Sequence, residues 1–157
     1  MFATIKSLGL FGLNAFPVDV EVDIQKGLPH FDIVGLPDAA VKESRERIRA
    51  ALYSISVTLP PKHIVVNLAP ADVKKSGTMH DLAILVGVLK SMGQLSCSMQ
   101  GKFFIGEVSL SGEVRSVNGV LPMTILARSL GVEELYVPAD NAAEACCTHR
   151  NGCHDTC

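Results

Sequence analysis

Residues 17–26 alternate between apolar and polar without a break: Val18, Val20, Val22 and Ile24 interleave with Asp19, Glu21, Asp23 and Gln25. A period of two sends successive side chains to opposite faces, so this stretch is a strand with one face on a core and one in water. Phe2 to Leu10 is expected to pair with it as a hairpin through Gly12-Leu13-Asn14. A third strand, Phe31 to Val34, is bracketed by Gly27-Leu28-Pro29 and Gly35-Leu36-Pro37, which gives an opening of three antiparallel strands.

The periodicity then changes. Asp38 is placed to cap a helix over residues 39–52; Val41, Ile48, Ala51 and Leu52, with Ile55 just beyond, recur at helical spacing, and Glu43–Arg47 forms an i,i+4 pair. Pro60-Pro61 closes the connection to a strand over His63 to Leu68. Ala69 to Thr78 reads as a loop feeding a helix from Asp81 to Met92, stopped by Gly93. Apolar all round (Leu82, Ile84, Leu85, Val86, Val88, Leu89), it is the expected buried central helix. A hairpin (Phe103 to Leu110, then Glu113 to Val117), a third helix opened by Pro122, and a strand over Glu134 to Val137 complete the pattern. The order β-β-β-α-β-α-β-β-α-β predicts an α+β fold, a mixed β-sheet with helices packed on one face.

At 157 residues and 48% hydrophobic, the chain has the material for one globular domain. Its longest apolar helical stretch, Leu82 to Leu89, is eight residues against the about 20 needed to span a bilayer, and no signal peptide is visible in residues 1–10. A cytoplasmic location with no membrane partner is the expectation. Net charge is −2, but residues 38–75 carry 7 Lys and Arg against 4 Asp and Glu, a basic island in an acidic chain.

Catalytic chemistry finds little support in the residues. The loop over residues 67–78 has Lys, Gly and hydroxyl groups ahead of a helix, as phosphate-binding loops do, but the G-x-x-x-x-G-K-[ST] spacing of a P-loop occurs nowhere. Ser76 or Thr78 would need Lys75 or His80 as a base, and no third orienting group is evident. His30, His63 and His80 are scattered and read as structural. Four cysteines and two histidines crowd the end of the chain (Cys146, Cys147, His149, Cys153, His154, Cys157) without paired C-x-x-C knuckles, so they are only weak metal candidates. Residues 146–157 are accordingly set apart as a disordered or non-native tail.

Three long blocks carry a resemblance: KGLPHFDIVGLPDAAVKESRERI over residues 26–48, VNLAPADVKKSG over 66–77 with Asp81-Leu82-Ala83-Ile84, and GEVSLSGEVR over 106–115 with Gly119-Val120-Leu121-Pro122. Together they resemble the N-terminal domain of the ComM/YifB family of magnesium-chelatase-like AAA+ ATPases, over residues 1–145. The resemblance implies a ribosomal protein S5 domain 2-like fold, shared with the proteolytic domain of Lon, and an AAA+ module downstream that this chain does not contain. ATP and Mg2+ are therefore expected only for that module, with no cofactor here. The implied partners are the protein's own AAA+ module, neighbouring subunits of a hexamer, and DNA, since related ComM-type proteins are motors that move branched DNA during natural transformation. By offset from the Lon pattern, Met79 stands where the nucleophilic Ser would be, and Val120 to Met123 contain no Lys. The implied role is a non-catalytic accessory domain assisting ring assembly or DNA contact. The alternative is a Lon-type Ser/Lys peptidase-like domain with little activity. Lys42, Arg45, Arg49, Lys74 and Lys75 are the candidate nucleic-acid or inter-subunit contacts.

Overall fold

The computed structural model describes residues 1–147. The alternating stretch lies within β2 (Asn14–Gln25), paired antiparallel with β1 (Phe2–Phe11) in a register that sets Val22 opposite Ala3, Val20 opposite Ile5 and Val18 opposite Ser7. The turn falls at Gly12-Leu13, as the sequence indicates. Val18, Val20 and Val22 are fully buried, each worth roughly 1.5–3 kcal/mol of apolar burial. The opposite face carries polar cross-strand pairs, with Lys6 Nζ 2.8 Å from Asp19 Oδ1 and Asn67 Nδ2 donating to Glu21 Oε2 at 2.7 Å.

The third strand departs from expectation. β3 (His30–Val34) does not join β2. It lies parallel to and outside β4 (His63–Ala69), which itself pairs antiparallel with β2. Both edges of β2 are thus taken by β1 and β4. The helix α1 (Ala39–Ser54) supplies the crossover that a parallel pair requires. The Gly-Leu-Pro brackets on either side of β3 mark turns, but they do not specify which neighbour the strand finds.

After α2 (Asp81–Ser91) the chain adds β5 (Lys102–Phe104) parallel to β1. The expected single strand over Phe103 to Leu110 breaks at Gly106, whose carbonyl accepts from Leu82 N at 3.0 Å and whose N–H donates to Met79 O at 2.9 Å. These bonds satisfy a first-turn donor of α2 and divert the chain from the main sheet. β6 (Glu107–Val108) and β7 (Val114–Arg115) then form a separate two-stranded hairpin. α3 (Val120–Ser129), β8 (Glu134–Tyr136) and, after a 3-10 turn at Ala139–Asn141, α4 (Ala142–Cys146) follow. The main sheet has the order β3-β4-β2-β1-β5-β8.

The helices do not share one face, which corrects the one-face arrangement. Val41, Ile48 and Leu52 of α1 and Ala83, Ile84 and Val88 of α2 pack with Ile5, Val20, Val22, Ile64 and Val66. Gly87 marks the closest approach, for a Cβ there would lie 2.6 Å from Val22 Cγ2. α3 instead packs Val120, Met123 and Ala127 with Leu8, Leu10 and Phe103. Leu8 and Leu10 alternate with Ser7 and Gly9, so they belong to the other face of β1. α3 also begins two residues ahead of Pro122, at the left-handed Gly119 (φ +79°), where a Cβ would meet Leu10 Cδ1 at 2.2 Å. No helix among the described residues is long and apolar enough to cross a membrane.

Candidate functional site

α1 is the element that organises the basic island. Asp38 caps it, its Oδ1 accepting from Val41 N at 2.8 Å. The helical period then buries Val41, Ser44, Ile48, Ala51 and Leu52 and leaves Lys42, Arg45 and Arg49 exposed. Arg45 and Arg49, one turn apart, share a side of the helix and line a cleft of about 330 Å³ between α1, the start of β3 and the Leu59–Lys62 connection. Lys62 and His30 add to its polar lining, Pro60 and Pro61 to its apolar wall. Glu46 is the one acidic residue of the lining and pairs with Arg45 at 3.2 Å.

His30 is tied into a three-residue bracket. Its Nε2 lies 2.8 Å from Asp32 Oδ1, and His63 Nε2 lies 2.8 Å from Asp32 Oδ2. The parallel β3–β4 register, which sets His30 beside His63, brings the two rings to one carboxylate. The His63 bond, aided by the charges of both rings, holds the Asp32 carboxyl below its usual range.

Of the five predicted contact residues, the cleft gathers Arg45 and Arg49. Lys42 and Lys74 are exposed but do not line it. Lys75 is removed from the surface altogether: it is fully buried, its Nζ donating to the Pro70 carbonyl, and burial pushes its pKa down. The loop folds it inward because its backbone bridges to Leu36 O and Asp38 N, pinning the residue beside the start of α1. Sequence reasoning missed Lys62 and His30 as members of the cleft. The only local signal was the Pro60-Pro61 turn, which aims Lys62 back toward α1.

A second polar group lies inside the fold. Asp81, fully buried at the start of α2, accepts from Ser44 Oγ, from Arg47 Nε at 2.6 Å and from Val108 N at 3.3 Å. The expected Glu43–Arg47 pair is long, at 3.9 Å, because Arg47 turns inward to Asp81. Thr78 Oγ1 donates to Glu107 Oε2 at 2.6 Å, whereas Ser76 is exposed. His80 is buried with Nδ1 3.2 Å from Ser7 Oγ, and its Nε2 has no hydrogen-bond partner among the described residues. Burial, then the nearby Lys75 charge, lowers its pKa to about 4, so the ring is neutral at pH 7.

The fold also joins the two positions marked by the Lon offset. Met79, Val120 and Met123 pack in one apolar cluster with Leu8 and Ile105. Proximity is kept, while the side chains brought together are thioethers and aliphatics. Of the metal candidates, Cys146 closes α4 and Cys147 is exposed; His149, Cys153, His154 and Cys157 lie outside the described residues. Among the described residues no group of three or more His, Cys, Asp or Glu is placed to hold a metal ion.

Residues 20–141 match the family described as subunit ChlI of Mg-chelatase. The chain belongs to this family. It is 42% identical over 144 residues to the competence protein ComM of Haemophilus influenzae, covering 91% of this chain and 28% of that protein. It is 38% identical over 152 residues to the YifB protein of Salmonella typhimurium, covering 96% and 30% respectively. A mitochondrial Lon protease homolog of Drosophila melanogaster is 32% identical over 96 residues, 59% of this chain and 9% of its own length. The chain thus spans under a third of the length of the ComM and YifB relatives, and corresponds to their N-terminal part.

Proposed function

We propose that this chain is the non-catalytic N-terminal accessory domain of a ComM-type magnesium-chelatase-like ATPase, cytoplasmic, and that it contacts the DNA backbone through the α1 cleft. The observation that carries the reading is the convergence of Arg45, Arg49 and Lys62 on one cleft in a chain whose net charge is −2. Phosphate contacts of this kind supply sequence-independent affinity. ATP and Mg2+ belong to the AAA+ module expected downstream, and the partners are that module and neighbouring subunits of a hexamer. An S5 domain 2-like architecture is consistent with the strand order and with the partial likeness to Lon. A peptidase role is less well supported, because Met79 and the Val120–Met123 stretch offer neither nucleophile nor base.

The test is fluorescence anisotropy of the reduced chain with branched, single-stranded and duplex DNA over a salt series. Two to three phosphate contacts predict a log–log salt slope between about −1.5 and −3. Arg45→Glu/Arg49→Glu should weaken binding more than about tenfold and flatten that slope. Binding unchanged in this variant, or independent of salt, would overturn the DNA reading and leave ring assembly as the role.

A further inference from the structure

We infer that the α1 cleft takes an unpaired nucleotide, its phosphate on Arg45, Arg49 and Lys62 and its base against the apolar wall of the Leu59–Lys62 connection. The inference rests on the proposed DNA contact and names the form of DNA that the site selects.

The cleft joins two surfaces of different chemistry. On one side stand the three cations, of which Arg45 is paired with Glu46. Among the described residues no carboxylate is within ion-pair distance of Arg49 or Lys62, so both charges are open to a ligand. On the other side Pro29, Leu59, Pro60 and Pro61 form an apolar wall over a floor of buried Phe31 and Ile64. Lys62 N donates to Pro60 O at 2.8 Å, which holds the wall and the lysine in one turn. Proline rings are rigid, so a flat ligand face meets this wall at little entropic cost.

Size decides what can use both surfaces. At about 330 Å³ the cleft lies at the small end of the roughly 300–1,000 Å³ of small-ligand sites. Anion and apolar ring must then come from the same monomer. A nucleotide carries both; no standard amino-acid side chain does at neutral pH. In a duplex the base faces are stacked on one another and only the phosphates reach outward, leaving the wall in contact with water. An unpaired base is free to leave the stack and lie on a side chain. A second concavity of about 140 Å³, lined by Ile24, Thr58 and Met92, borders on the same Pro60 and Lys62. It gives a neighbouring base a place on a strand that passes over Lys62.

The experiment compares two strands on the unaltered, reduced chain: end-labelled oligothymidylate, and an abasic strand of the same length with the same phosphates. Fluorescence anisotropy should show the thymidylate strand bound about five- to tenfold more tightly, the low end of what one stacked base supplies. The salt slopes of the two should agree, since their phosphate contacts are the same. In NMR spectra the Leu59 methyl resonances should move upfield with oligothymidylate, under the ring current of the base, and stay in place with the abasic strand. Equal affinity for the two strands, or a preference without the Leu59 shift, overturns the base-accepting cleft and spares the DNA reading, provided binding still falls in Arg45→Glu/Arg49→Glu. Absence of strand binding overturns both readings, and a Leu59 shift with poly-glutamate would then assign the cleft to an acidic peptide.

Discussion

His80 is the residue whose burial has the clearest measurable consequence. Its ring is buried, with one nitrogen on Ser7 Oγ and the other without a partner among the described residues, and its folded pKa is about 4 against an ordinary 6.5. Between those values the unfolded chain binds a proton that the folded chain does not, so stability must rise with pH across the window. The contribution is complete above pH 6.5 and is lost as pH falls toward 4, at about 3 kcal/mol in all. His80→Leu should remove that slope, whatever it does to stability at neutral pH. Urea unfolding at pH 7.0, 5.5 and 4.5 measures it; parallel curves for variant and parent would refute the assignment.

Among elements, the junction of α1, α2 and β6 depends on one ion pair. Arg47 reaches Asp81 at 2.6 Å and also donates to Ala40 O at 2.9 Å, while Asp81 draws in Ser44 and the β6 backbone. Truncating the arginine leaves a fully buried carboxylate without its counter-charge, a loss of about 3–5 kcal/mol. Arg47→Ala should therefore lower the urea midpoint sharply, whereas Arg45→Ala on the exposed side should stay within about 0.5 kcal/mol of the parent. Equal effects of the two would mean that the pair is not what clamps the helices. The sequence showed both helices, because Asp38 and the 3.6-residue repeat are local signals. It did not show that Arg47 turns inward, since its obvious i,i+4 partner Glu43 lies on the same helix and its actual partner is 34 residues away.

For the molecule as a whole, what was legible followed the range of the interactions. The β1–β2 hairpin could be read from alternation and a glycine turn, and the residues of the second layer from hydrophobic periodicity. The parallel placement of β3 beside β4, and the division of the helices between two faces of the sheet, are decided by pairings distant in sequence, which a local pattern does not encode. The cleft was half legible for the same reason: Arg45 and Arg49 sit on one helix, while Lys62 and His30 arrive from other segments. Lys74 and Lys75 show the limit most sharply, because composition treats them alike and the fold separates them, one exposed and one fully buried. That contrast gives the chain a built-in clock. An amine-acylating reagent should modify Lys74 at once and reach Lys75 only as fast as the loop opens. Peptide mass spectrometry of the doubly modified fragment over time would then time that opening directly, with the adjacent amine as its internal standard; simultaneous modification of the two would place Lys75 in solvent.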